Sequence, residues 1–275
     1  MRQPGSDARG IRGLGAGTGT WGPGHQDEAP SATGPAPVPP PRRSGNGAAG
    51  NGPSHDGASH DGTSHDGPSH DGADRVNSRR RLPPGQHVQS NMPVLHYGRV
   101  PACNPRTWDL RVCGATAGGG LRRWDWDGFC ALPRSEIVAD FHCVTKFSVL
   151  GILWRGVLAA DLLRAVPPAA AATHVMIWAD YGYGANLPLE VFGAGNTLLA
   201  THRDDKELTP EQGHPVRLVV PSRYGWKNVK WVRAIEYMAG DRRGFWEERG
   251  YHNNADPWRE ERYSYQEQPG EGPAL

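Results

Sequence analysis

The chemistry-bearing stretch of this chain is Asp140-Phe141-His142-Cys143-Val144-Thr145-Lys146-Phe147-Ser148. A cysteine at the end of a strand-like run, flanked by His142 and Lys146, sits where nearby positive charge favours the thiolate. Thiolate is the form that binds soft or high-valent metals. The plainer reading is a buried cysteine acting as a small hydrophobe. A second stretch, Pro215-Val216-Arg217-Leu218-Val219-Val220-Pro221, reads as a short buried strand stopped by proline. After it, Arg223, Lys227 and Lys230 surround Tyr224, Gly225 and Trp226. Glycine lets a backbone approach a ligand closely. Cationic side chains and free N–H groups after a turn suit phosphate. Its plainer reading is a solvated cationic face.

The elements that must position these groups follow from pattern. Residues 136–141 read as the strand delivering Cys143, followed by a turn. Trp154, Val157, Leu158, Leu162, Leu163 and Val166 have helical spacing, and Pro167-Pro168 ends that helix. Residues 107–112 alternate as a half-buried strand closed by Gly114. Residues 124–129 predict a short helix. Residues 173–178 predict a buried strand, followed by a polar loop over 180–186. Residues 188–192 predict a short helix with Asn186 as its cap. Residues 216–220 and 229–238 supply the last strands, and 244–265 a wrapping tail. Strands and helices mix without a βαβ rhythm, so the fold class is α+β.

A net charge of +1 favours neither a nucleic-acid partner nor a membrane surface. The 37 glycines and 25 prolines crowd the N-terminal third, where apolar periodicity is nearly absent. Residues 1–86 are therefore expected to be a disordered tail, 87–265 the domain and 266–275 a flexible C-terminus. Within the tail, Ser-His-Asp-Gly recurs four times between residues 54 and 72. Such a tract is either low-complexity or a loose metal binder. No apolar run is long enough for a transmembrane segment, and no signal-peptide core is visible. Cys103, Cys113, Cys130 and Cys143 form no paired metal-ligand motif, and a reducing cytoplasm is the expected setting.

Taken together, His142-Cys143-Val144-Thr145-Lys146-Phe147-Ser148, Trp154-Arg155-Gly156-Val157, Arg217-Leu218-Val219-Val220-Pro221 and residues 224–231 resemble the molybdopterin-binding domain of the sulfite oxidase family. Residues 92–98, 186–190, 244–247, 250–252 and 256–258 carry further matches. The likeness is to the stand-alone bacterial members and covers about residues 88–265. It implies the mixed-sheet fold of that family. It also implies that Cys143 is the protein's one sulfur ligand to molybdenum, beside the pterin dithiolene. Arg217 and Lys230 match positions that hold the pterin phosphate or ring edge, with Asn228 and Val229 between them. Lys227 matches the same stretch, and His96 and Tyr97 match another cofactor-contacting one. Gln212 stands where relatives carry His or Asn, and Phe147 where many carry Trp.

Tyr181 is the catalytic candidate by its place in the 180–186 loop. The implied activity is two-electron oxygen-atom transfer on a small oxyanion, with a separate electron carrier. Reduction of an S-oxide or N-oxide on the same cofactor is the first alternative. A binding module that keeps the fold without cofactor, and metal handling by the repeats, are alternatives of other classes.

Overall fold

The computed structural model describes residues 81–274. The Ser-His-Asp-Gly repeats, and most of the segment read as a disordered tail, lie outside the described residues. In chain order the strands are β1 (His87–Val88), β2 (Asp109–Gly114), β3 (Arg122–Asp125), β4 (Ser135–His142), β5 (Phe147–Leu158), β6 (His174–Ala179), β7 (Gly184–Pro188), β8 (Leu198–Arg203), β9 (Lys206–Glu207), β10 (Arg217–Val219) and β11 (Val232–Met238). The helices are short: α1 (Trp126–Cys130), α2 (Ala159–Ala165) and α3 (Leu189–Phe192).

Two mixed sheets result. One runs β1-β5-β8-β10, with β4 beside β5 and β9 beside β8. The other runs β3-β2-β11-β6-β7. Most neighbours are antiparallel, whereas β1 pairs parallel with β5 and β11 parallel with β2. Leu110, Val112, Ile177, Leu187 and Ile235 of one sheet share a buried cluster with Val157, Leu199 and Leu218 of the other. Burying these aliphatic side chains is the main favourable contribution to such a layered fold. The α+β expectation holds.

Several local expectations are corrected. Trp154, Val157 and Leu158 lie on β5, and the helix begins only at Ala159. β5 is paired to β4 on one side and to β1 and β8 on the other. The helical spacing misleads because its two faces are both covered, Val157 entering one buried cluster and Trp154 and Leu158 the other, which breaks the alternation of buried and exposed residues. A Cβ at Gly156 would come within 2.0 Å of the Leu199 carbonyl oxygen, so glycine there lets β8 approach. The polar loop after β6 is shorter than expected: a 3-10 turn covers Asp180–Gly182 and β7 starts at Gly184. Asn186 is therefore a strand residue, and α3 has no side-chain cap. Trp124 and Asp125 belong to β3, with Asp125 capping α1. Residues 229–231 precede β11 instead of opening it.

The ends of the described chain are also tied down. Gln86 is buried, and its amide donates to the Cys143 carbonyl at 3.1 Å. Glu267 receives both Arg243 Nη1 (3.0 Å) and Nη2 (2.6 Å). Arg243 Nε donates to the Pro273 carbonyl. Glu267 and Pro273 are thus both held to Arg243.

Candidate active site

Cys143 sits in the hairpin turn between β4 and β5, where His142 pairs with Ser148. Its N–H donates to the Phe147 carbonyl at 2.8 Å, and its carbonyl accepts from the Lys146 N–H at 3.0 Å. Lys146 closes the turn at φ 75°. A left-handed residue at this place in a short hairpin loop lets the strands resume their twist. The thiol is buried, and Thr145 Oγ1 donates to Sγ at 3.1 Å. Burial pushes the Cys143 thiol above its ordinary value, against the Thr145 hydroxyl and the Arg262 charge.

The expectation that His142 and Lys146 favour the thiolate is therefore not met. Burial holds His142 below the usual imidazole range, which keeps it neutral. Its Nδ1 lies 2.8 Å from Ser148 Oγ, which donates on to Gln86 Oε1. A metal at Sγ would itself deprotonate the thiol. Among the described residues no cluster of three or more His, Cys, Asp or Glu could hold a metal. A metal at Cys143 must then bring its own further ligands, as a dithiolene does.

The 217–231 segment meets this turn directly. A Cβ at Gly225 would come within 2.4 Å of the Phe141 ring, so only glycine lets the end of β4 pack there. Val144 packs against the buried cluster of Tyr224, Trp226 and Tyr251. Arg217 is 2 % exposed, with Nη1 donating to the Gln212 carbonyl at 3.1 Å and the guanidinium 5.1 Å from the Trp154 ring centroid. Neither Arg217 Nε nor Trp154 Nε1 has an acceptor. Desolvation first, then the Arg203 charge, lowers Arg217 to about 10.

Two adjacent buried donors without acceptors, one on a cation, suit an anion. Gly213, at φ 110°, lies between Arg217 and Lys230: its added Cβ would meet their Cβ atoms at 3.1 and 3.0 Å. Lys230 Nζ donates to the carbonyls of Leu95 (2.8 Å) and Glu211 (2.6 Å). Burial and the Arg217 charge bring Lys230 down to about 7. These residues fit a phosphate-bearing cofactor.

Lys230 yields a prediction with a definite sign. Between pH of about 7 and 10.5 the unfolded chain holds a proton there that the folded, cofactor-free chain releases. The cofactor-free fold therefore gains stability as pH rises through that window. A phosphate beside Lys230 restores the ammonium, so cofactor binding takes up a proton and weakens over the same window. Calorimetry of cofactor binding in two buffers of different ionisation enthalpy should show the uptake at pH 8, and Lys230→Met should abolish it.

Not every expected residue joins this site through its side chain. Lys227 turns inward: its Nζ donates to Asn186 O (2.9 Å) and Oδ1 (2.7 Å) and pairs with Glu247 Oε1 at 2.7 Å. An ammonium has three donors, and all three are engaged inside the protein. Asn228 pins the loop, with Oδ1 accepting from Val220 N and Nδ2 reaching the carbonyls of Val220, Arg223 and Tyr224. Gln212 directs Oε1 to Thr209 N in a capping box and meets Arg217 only through its carbonyl. The Val229 carbonyl accepts from Leu218 N.

His96 lies edge-on to Trp231 at 5.9 Å, next to the Leu95 carbonyl that holds Lys230. Tyr97 is exposed and packs against Phe245 and Trp246. Tyr181 has φ 61° and lies under Arg99 at 4.7 Å. It lines a cavity of about 130 Å³ with Cys103, Asp180 and Arg233, and Cys143 is not part of that lining. The Asp180 N–H donates to the Trp231 carbonyl, which ties this cavity to the end of the Lys230 segment. Sequence reasoning missed Gln86 and Arg262, which fix the Cys143 and Val144 carbonyls. Neither stands in a recognisable motif.

The comparisons agree with this geometry. A family model described as the oxidoreductase molybdopterin binding domain matches residues 97–246. The chain is 40% identical over 186 residues to the uncharacterized oxidoreductase YuiH of Bacillus subtilis (strain 168), covering 67% of this chain and 93% of that protein. It is 27% identical over 192 residues to the mitochondrial sulfite oxidase of Drosophila melanogaster, covering 60% of this chain and 32% of that protein. The chain thus spans about a third of that longer enzyme. The crystal structure of the sulfane dehydrogenase SoxCD from Paracoccus pantotrophus shares the fold, with TM-score 0.50 and 17% identity over 59% of this chain and 47% of that one. A buried cysteine turn beside a cationic cradle with unpaired donors, and a family match over more than half of the sequence, lead to one conclusion: the chain belongs to the oxidoreductase molybdopterin binding domain family and is a molybdopterin-dependent oxidoreductase.

Proposed function

We propose that this enzyme catalyses two-electron oxygen-atom transfer with a small sulfur oxyanion, in the oxidising direction of a sulfite oxidase. The observation that carries the reading is the buried Cys143 thiol joined through Gly225 and Phe141 to a cradle with unpaired donors. The molybdenum centre, when bound, supplies the two-electron oxygen exchange, and the protein orients it and tunes it. Cys143 is the sulfur ligand, kept in place by Thr145 and by the Gln86 bond to its carbonyl. Arg217 and Lys230 bind the anionic end of the pterin, and Trp154 contributes its indole N–H. His96 and Tyr97 cover the same edge. Arg99, over the Tyr181 ring, supplies positive charge for an oxyanion substrate, and Tyr181 supplies a hydroxyl there, while Arg233 is paired with Asp109 and Asp180.

Electrons leave to a separate carrier. The enzyme works in the cytoplasm, a placement supported by four free cysteines. Among the described residues no helix is long and apolar enough to cross a membrane. The catalytic domain spans residues 87–265, and the Arg81–Asp140 and Arg243–Glu267 pairs support flanking residues packing on it.

The test is metal and pterin content after expression in a host that makes the cofactor. Wild type should carry near-stoichiometric molybdenum and pterin. Cys143→Ala should keep pterin, because the cradle is intact, but lose sulfite-dependent reduction of the centre. Wild type without molybdenum and pterin would overturn the reading.

A further inference from the structure

The turn that carries Cys143 also forms the wall of a second cavity, of about 270 Å³. Cys143 and Thr145 face each other, whereas Val144 and Lys146 line this cavity with Glu260, Arg262, Tyr263 and Tyr265. Arg262 is 6 % exposed. Its Nη1 donates to the Val144 carbonyl at 2.7 Å, and its guanidinium lies 4.8 Å from the Tyr224 ring centroid. Its Nη2 has no hydrogen-bond acceptor. The nearest carboxylate, the half-exposed Glu260, stands 3.7 Å away, outside hydrogen-bond reach. Lys146, turned outward by its left-handed backbone, pairs with no carboxylate among the described residues. Two cations against one anion leave the cavity positive. Tyr263 and Tyr265 stack at 16° with centroids 5.5 Å apart, and the exposed Tyr265 ring gives one side a flat apolar wall.

We propose that this cavity binds a small organic oxyanion, a carboxylate or sulfonate. Arg262 and Lys146 hold its head, and its apolar body lies on Tyr265. A buried guanidinium with a free N–H requires an acceptor, and its planar fork matches an oxyanion. A concave site with an apolar wall and a few convergent polar groups is the ordinary form of a small-ligand pocket. The site goes beyond the redox reading, because it requires neither molybdenum nor pterin. Through Arg262 the bound anion bears on the Val144 carbonyl, one residue from the thiol.

The experiment titrates benzenesulfonate, and separately sulfate, into cofactor-loaded protein by calorimetry, so that the Arg217 cradle is already occupied. Benzenesulfonate should bind saturably, tighter than sulfate, and more weakly as salt is added. Lys146→Asn suits the left-handed position and removes the charge. It should weaken benzenesulfonate about tenfold, and Arg262→Gln by more, the scale of losing a hydrogen bond to a charged group. Tyr265→Ser should bring benzenesulfonate down to the level of sulfate. Absence of saturable binding, equal binding of the two anions by wild type, or unchanged binding in Lys146→Asn would each overturn the proposal, and the Lys146 variant keeps it testable should Arg262→Gln misfold.

Discussion

Arg217→Met is expected to make the cofactor-free protein more stable and to weaken its hold on the cofactor. The two effects have one cause. Arg217 is buried, faces no carboxylate, and has Nε without an acceptor. Its ordinary value of 12.5 falls to about 10 through desolvation, so the folded chain disfavours the charged form by roughly 3 kcal/mol. Methionine is unbranched, fills the same space beside Trp154 and needs no partner. Its cost is the single bond to the Gln212 carbonyl, about 1 kcal/mol. The net gain in the cofactor-free protein is about 1–2 kcal/mol, in line with replacing uncompensated buried charge by packing. The loss on the other side is at least one charge-assisted bond to an anion, about 10- to 100-fold in affinity. Urea denaturation of cofactor-free protein and pterin content of purified protein read the two effects separately. A destabilised cofactor-free variant, or one that retains pterin fully, would contradict this account.

The two segments that carry the site were legible in the sequence because each has a motif. What failed were inferences that depend on who pairs with whom. The stripe from Trp154 to Val166 has helical spacing, yet its first half is a strand whose two faces both pack into buried clusters, Val157 into one and Trp154 and Leu158 into the other, leaving no exposed face for alternation to show. The Cys143 environment was misjudged for a similar reason. His142 and Lys146 are neighbours in sequence, but one is buried and neutral and the other faces a different cavity. The group that does place positive charge near the thiol is Arg262, more than a hundred residues downstream. Gly225 shows what sequence could offer only in part. Glycine in a cationic loop suggests close approach, but the approaching group is the Phe141 ring, not a ligand.

Lys227, whose ammonium is fully engaged inside the protein, sets the second large expectation. Lys227→Met alone should cost about 3–5 kcal/mol, because it leaves Glu247 charged and fully buried. Glu247 Oε1 now receives both Lys227 Nζ (2.7 Å) and Trp226 Nε1 (2.9 Å), and its Oε2 has no donor. Burial lowers Lys227 below the usual lysine range, while the Glu247 charge raises it. The pair is thus held by mutual neutralisation and by the two Asn186 acceptors. It joins three parts of the chain: the 3-10 turn Gly225–Lys227, the turn Glu247–Arg249 and β7. Removing both charges in Lys227→Met/Glu247→Leu should restore most of the loss, since the desolvation penalty of each ion disappears with its partner. A double-mutant cycle by chemical denaturation measures the coupling. The same variants separate a structural lysine from a cofactor ligand. If Lys227 braces the loop, the double variant folds and retains pterin, because Arg217 and Lys230 are untouched. If its ammonium instead contacted the cofactor, the double variant would fold and lose pterin, and the single variant would show little change in stability.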